Sequence, residues 1–250
     1  MTGRPVSSQG GRARVRTAMR IKRLSLGEGS RQAHGTAVII DVFRAFSCEP
    51  LMFHCGASQV ILSGDIEKCL AMRGKAVLVG EQDELPIPGF DLTNSPFMIM
   101  QGGSALFGGR AVVHRTTSGV TGALAALATA DEVLLASYLT ARATAEYIKC
   151  RAPSLVSIVA MGIRSIERAP EDEFCGGYIE SILTGKPYDH VKALDEILRH
   201  ETALKFLRGD KAYLPREDPV ICLQRDLFDF ALRAVKHDGL VVAERIHPVG

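Results

Sequence analysis

Four short segments of this 250-residue chain carry side chains that could act on a phosphate or a carboxylate. Asp41 and Arg44 stand three residues apart, at the end of an apolar run and the start of a helical pattern. A carboxylate there can hold a hard cation, and a guanidinium one turn on can fork onto a phosphate or carboxylate. The same pair also reads as an N-cap Asp beside a surface Arg. Glu81 follows another apolar run, and Asp91, Asn94 and Ser95 close the stretch EQDELPIPGFDLTNSP at 81–96. Oxygen donors gathered there suit a hard cation, or simply form Asx turns. Arg115-Thr116-Thr117-Ser118-Gly119 lies between a strand and a helix, where hydroxyls, backbone amides and a helix N-terminus make an anion cradle. The plainer reading is a Ser/Thr cap. Glu171-Asp172-Glu173 opens a further helix, where the dipole favours acids whatever the function. Such acids could also hold Mg²⁺ or act as a base toward water.

Other chemistries are excluded by spacing. No G-x-x-x-x-G-K-[ST] or G-x-G-x-x-G occurs, so neither usual nucleotide-phosphate loop is present. The six cysteines are scattered singly, with no C-x-x-C pair, and Cys48, Cys55 and His54 have the wrong spacing for a zinc finger. Cys175 lacks the C-x5-R pattern of thiol phosphatases. The cysteines therefore read as reduced, buried packing residues of a cytoplasmic protein.

The elements that must position these groups alternate apolar runs with helical patterns. Strands are expected over 37–42, 60–63, 76–80, 111–114, 132–137, 155–161 and 241–246, the last at an edge. Helices are expected over 45–57, 66–73 with Asp65 as N-cap, 121–130, 141–150 and 170–184, then a mostly helical, charged stretch to 208. This pattern predicts a single α/β domain over 19–250, layered α/β/α with a mostly parallel central sheet. In such sheets ligands collect beyond the carboxyl ends of the strands, where the four segments fall.

Composition narrows the setting. Thirty Lys and Arg against 28 Asp and Glu leave a net charge of only +2, too even for a chain that coats nucleic acid. Residues 1–23 hold seven of the basic side chains and no acid, so the remainder carries 23 basic and 28 acidic, a net of −5. Residues 1–18, rich in Gly, Ser and Arg, are expected to be a disordered basic extension, with Met19 a candidate alternative start. A transit peptide or nucleic-acid contact rests on that arm alone. No apolar run of about 18 residues occurs, so no transmembrane helix is expected.

Taken in order, VIIDVFRAF (38–46), IPGFDLTNSP (87–96), RTTSG (115–119), EDEFCGG (171–177) and EDPVICLQRD (217–226) resemble the 2-phosphosulfolactate phosphatase family over about residues 20–246. The resemblance implies an α/β enzyme that uses Mg²⁺ to hydrolyse the phosphate monoester of a small sulfonated or carboxylated hydroxy acid. In organisms that make coenzyme M, the product sulfolactate would feed that pathway. Asp41, Arg44, Glu81, Asp91, Asn94, Ser95, Thr116, Thr117, Gly119, Glu171 and Asp172 fall on motif positions. Accordingly Asp41, Glu171 and Asp172 are expected to be catalytic, and Asp41, Glu81 and Asp172 to hold Mg²⁺. Arg44, Asn94, Ser95, Thr116, Thr117, Ser118 and Gly119 are expected to bind the substrate phosphate. The partner implied is a small phosphate ester, with no membrane or nucleic acid; a homo-oligomer stays open.

Several positions depart from the family pattern. TTSGV stands for TTNGT, GEQDE (80–84) for a Gly- and Arg-bearing GERGG, and MGIRS (161–165) for Gly-Thr-Glu-Gly; Phe46 and Cys48 replace small hydroxyl residues. Losing an Arg and gaining acids should weaken binding of a polyanionic substrate by Coulomb repulsion. Three readings follow: the phosphatase itself, a phosphatase for a related ester without sulfonate, and a catalytically weakened relative that binds a phosphorylated or carboxylated metabolite. Asp41-Val42-Phe43 lacks the second Asp of a D-x-D nucleophile motif, which favours direct attack by water.

Overall fold

Ten strands form one mixed sheet in the computed structural model, which describes residues 19–248; the basic extension expected over 1–18 lies outside them. In chain order the strands are β1 (Arg20–Ser25), β2 (Thr36–Ile40), β3 (Gln59–Leu62), β4 (Val77–Gln82), β5 (Leu85–Pro86), β6 (Ala111–Arg115), β7 (Glu132–Ala136), β8 (Leu155–Ala160), β9 (Ala231–His237) and β10 (Leu240–Ile246). The helices are α1 (Leu26–Arg31), α2 (Ala45–His54), α3 (Ile66–Leu70), α4 (Pro96–Phe107), α5 (Gly119–Ala126), α6 (Ala141–Arg151), α7 (Pro170–Thr184), α8 (His190–Arg199), α9 (Glu201–Leu207) and α10 (Glu217–Cys222). No helix among the described residues is long and apolar enough to cross a membrane.

The expected single α/β domain is what forms. In β2, Thr-Ala-Val-Ile-Ile is buried throughout; Ala37 and Ile39 face one apolar core with α2 and α5, while Val38 and Ile40 face another with α6 and α7. A strand covered on both faces reads as a continuous apolar run, as this one does. Asp65 caps α3 by accepting from the Glu67 and Lys68 amides. Pro50 inside α2 cannot donate to the Phe46 carbonyl, and the Ser137 hydroxyl does so instead (3.0 Å). Five of the six cysteines are buried, Cys150 being exposed, and none is bonded to another. Burial pushes the Cys175 thiol well up, as suits packing rather than attack.

Strand order is β1-β8-β2-β7-β9-β10-β3-β6-β4-β5. Strands β1, β8, β2 and β7 are mutually parallel, as are β3, β6 and β4, but the hairpin β9–β10 between the blocks pairs antiparallel on both flanks. The two blocks therefore run in opposite senses. Twist offsets the reversal: β2 and β6 are five strand steps apart, and about 20–25° per step accumulates to roughly 100–125°. The sheet wraps one core shared by β2, β3, β4, β6 and β7 with α2 and α5, and the carboxyl ends of both blocks reach one cleft.

Three expectations are corrected. The last strand is interior, between β9 and β3, because β9, unforeseen, supplies its hairpin partner through the two-residue loop Asp238-Gly239, both at positive φ. Residues 81–96 are not all loop, since β4 runs on to Gln82 and turns into β5. Helix α4 also escaped the sequence pattern, because Gly102-Gly103 reads as a break; the helix survives with a kink at Gly103 (φ 47°).

Candidate active site

Asp41 leaves the end of β2 with one oxygen on the backbone and its carboxylate at the cleft. Its Oδ1 accepts from the Ala45 amide at the start of α2 (3.0 Å), and its carboxylate lines the cleft. Gly119 opens α5 against it: a Cβ there would lie 2.6 Å from the Ala45 Cβ and 2.8 Å from Asp41 Oδ2. Only glycine admits this approach, and its amide favours the charged carboxylate.

Asp172, in the first turn of α7, is a bracket. Its Oδ1 accepts from the Val42 amide (2.7 Å) and its Oδ2 from the Gly162 amide (2.8 Å), tying together the exits of β2 and β8. Neighbouring Glu171 accepts from the Thr202 hydroxyl through Oε2 (2.8 Å). All three carboxyls are buried. Burial pushes Asp41 up to about 6 and Glu171 up to about 7, and Asp172 well up; repulsion within the trio adds to each of Glu171 and Asp172.

The opposite wall comes from the other block. Glu81, the penultimate residue of β4, accepts from the Thr117 amide through Oε1 and from the Glu84 amide through Oε2 (2.6 Å). The Thr117 hydroxyl accepts from the Asp83 amide (2.8 Å) and from Arg115 Nη1 (3.1 Å). Thr116 Oγ1 accepts from the Val120 amide inside α5 (2.9 Å), which is the plain capping role. Glu81 thus occupies the Thr117 part of the expected anion cradle, while Ser118, whose side chain makes no cap bond, lines the cleft.

Arg44 is no surface residue. It is 4% exposed, its Nη1 donates to Asp218 Oδ2 (2.8 Å) and the Tyr213 carbonyl (3.0 Å), and its guanidinium lies over the Phe206 ring. Asp218 also accepts from the Ser95 hydroxyl (2.8 Å) and the Phe97 amide (3.0 Å). Ser95 caps α4 and Asp91 accepts from the Leu78 amide (2.8 Å), so both act on the backbone rather than in the cleft. Asn94 does line the cleft, and buried His114 bridges its Oδ1 to Glu49 Oε1 (2.9 Å each).

The cleft, about 530 Å³ with its mouth, thus gathers Asp41, Arg44, Glu81, Asn94, Thr117, Ser118, Glu171 and Asp172, while Ser95, Thr116 and Gly119 support it from behind. Sequence reasoning missed Glu84, Arg164, Lys205 and Phe206 in the lining and the Glu49–His114 pair behind Asn94. A lone Glu inside the apolar helix AFSCEPLMF was a readable signal for Glu49. Lys205 and Phe206, on a charged surface helix, gave none.

Five carboxylates line the cleft (Asp41, Glu81, Glu84, Glu171, Asp172) against three cations (Arg44, Arg164, Lys205). Among the described residues no three His, Cys, Asp or Glu side chains form a group able to enclose one metal ion. Mg²⁺, however, is commonly held by one or two carboxylates, with water and substrate phosphate completing its shell. Hard oxygen donors in a buried cleft rich in carboxylates fit that open mode, and a cation would offset the burial of Asp41, Glu171 and Asp172 and the repulsion among them.

The family model of 2-phosphosulpholactate phosphatase matches residues 24–235. A protein of Bacillus subtilis named probable 2-phosphosulfolactate phosphatase is 31% identical over 210 residues, 82% of this chain and 88% of that one. One of the same name from Thermus thermophilus is 32% identical over 199 residues, 79% and 78% of the two chains. A third, from Deinococcus radiodurans, is 38% identical over 129 residues, about half of each chain.

Proposed function

The chain belongs to the 2-phosphosulpholactate phosphatase family, and we propose that it hydrolyses the phosphate monoester of 2-phosphosulfolactate, or a similarly small phosphorylated hydroxy acid, with Mg²⁺. The observation that carries this reading is the convergence of Asp41, Glu81, Glu171 and Asp172, from three separate segments, on one cleft that Ser118 and Arg44 also line.

Asp41 would hold Mg²⁺ with Asp172 or Glu81, whose backbone bonds fix the direction of their oxygens. When bound, the ion neutralises phosphate oxygens and lowers the pKa of a coordinated water. Arg44 keeps guanidinium donors beyond Nη1 for the phosphate, and the Ser118 hydroxyl and the Asn94 side chain add polar contacts. Glu171 Oε1, the oxygen not taken by Thr202, receives the proton of the attacking water. The water oxygen bonds to phosphorus, the ester P–O bond breaks, and the leaving oxygen takes a proton from solvent while Glu171 returns its own, giving the alcohol and inorganic phosphate. Phe43, Phe206 and Leu214 keep the cleft partly dry, which strengthens its electrostatics. A cytoplasmic setting is part of this proposal, supported by cysteines that are scattered singly and unbonded, and the sulfonated product would serve coenzyme M synthesis in a host that makes it.

The test is phosphate release by the full chain from phosphorylated three-carbon acids, 2-phosphosulfolactate included, with Mg²⁺ and with chelator. Mg²⁺-dependent release is expected. Absence of release from a folded protein would overturn the proposal and leave a metabolite-binding relative.

A further inference from the structure

One ion pair in the cleft is used by neither the fold nor the proposed chemistry. Lys205, on α9, is mostly covered, its ammonium lies 5.4 Å from the centroid of Phe206, and it is paired with the carboxylate of Glu84. Arg44 lies over the same ring at 5.2 Å, so two cations share one aromatic support inside the cleft. Arg44 is held by Asp218 from behind. Among the described residues the one ion pair of Lys205 is with Glu84, which reaches it from the opposite wall across the opening.

Glu84 is an unusual occupant of its position. It forms with Asp83 the two-residue turn between β4 and β5, and both are left-handed, at φ 68° and 51°. A two-residue hairpin turn requires both residues in that conformation, which suits glycine, so a glutamate there is unusual. The turn does not depend on the ion pair, because the Asp83 and Glu84 amides are anchored to Thr117 Oγ1 and Glu81 Oε2. The Glu84 carboxylate can therefore leave Lys205 without the backbone moving.

We propose that Lys205 binds the second anionic group of the substrate, a carboxylate or sulfonate, and that Glu84 is an internal stand-in for that group which the substrate displaces. This rests on reading the cleft as the phosphate-ester site. An ester lacking a second anion gains nothing from Lys205 and leaves the Glu84 pair in place, so the pair selects for multiply charged substrates.

The test is calorimetry on the full chain with Mg²⁺, using two probes that are not turned over: sulfolactate, which carries the second anion, and inorganic phosphate, which does not. Lys205→Met should weaken sulfolactate about tenfold and phosphate less than about twofold. Glu84→Gln should tighten sulfolactate by about threefold or more, and the double variant should match Lys205→Met alone. The proposal is overturned if Lys205→Met weakens both probes equally or neither, if Glu84→Gln does not tighten sulfolactate, or if the unaltered chain does not bind it. Should Lys205→Met lose its near-ultraviolet dichroism, Glu84→Gln decides alone. Binding without phosphate release in the hydrolysis assay would remove the phosphatase reading and leave this one standing.

Discussion

The two walls of the cleft are built on different principles. On the β2–β8–α7 side, buried Asp41 and Asp172 bond to backbone amides at the start of α2 and at the exits of two parallel strands. On the β4–β6 side, the Glu81–Thr117–Arg115 cluster carries a two-residue turn with left-handed non-glycine residues and ends in an ion pair at the mouth. The first wall fixes atoms against the sheet; the second holds its outermost contact through side chains that a ligand can replace. A hydrolase needs both, a rigid centre for the reacting atoms and an exchangeable rim that chooses what reaches them.

The largest contrast should come from Asp41→Asn, which removes the charge around which the carboxylates are arranged and is expected to lower phosphate release by at least about 100-fold. Its near-ultraviolet dichroism should stay native; near-normal turnover would take Asp41 out of the mechanism. Asp172→Ala tests the bracket instead. It strands the Val42 and Gly162 amides, each costing about 1–3 kcal/mol, so urea unfolding should show a loss of roughly 2–6 kcal/mol. A loss under about 1 kcal/mol would mean that water replaces the carboxylate and that the wall is softer than drawn.

Proton linkage sharpens the same comparison. Asp41 at about 6 and Glu171 at about 7 lie above their ordinary values of 3.8 and 4.5, so the folded state holds these protons more tightly than the unfolded one. Their contribution to stability is full below about pH 4 and is lost as pH rises through 6 to 7. Thermal melts in chelator should therefore show this protein losing stability over that window by on the order of a few kcal/mol relative to Glu171→Gln. Mg²⁺ at pH 7 should recover part of the loss. Parallel melting curves for the two proteins would refute the linkage. The smallest effect belongs to the rim: Glu84→Gly relieves a left-handed residue worth about 1–2 kcal/mol and gives up a partly exposed ion pair worth about 0.2–1 kcal/mol. Unfolding free energy should stay within about 1 kcal/mol of the starting protein, and a larger loss would show the pair to be structural.

Much of the site was legible because its motif residues belong to strand ends and helix starts, where polar side chains interrupt apolar runs. Asp41 after Ile40, Glu81 within a strand terminus and Glu171-Asp172 after Pro170 announce themselves that way. Ser95 and Thr116 carry the same signal and serve as caps, since a capping oxygen and a ligand oxygen look alike in one dimension. Other signals went unread. Asp238-Gly239 is a hairpin turn in plain view, and reading it would have supplied β9 and moved β10 from the edge to the interior.

What the sequence alone determined is local: the apolar runs that become β2, β7 and β8, the Asp65 cap, the helix that Pro170 opens, and the order of the motifs along the chain. Those features depend on a residue and its near neighbours, so they can be read from period and spacing. Tertiary structure decided that Asp172 bonds to Val42, 130 residues away, that Glu81 meets Thr117, and that Glu84 faces Lys205. Those pairings depend on strand order, on a hairpin that reverses half the sheet, and on twist that brings the reversed half back to a common cleft. None of these is a property of any single segment, because each follows from how segments pack to bury one shared core.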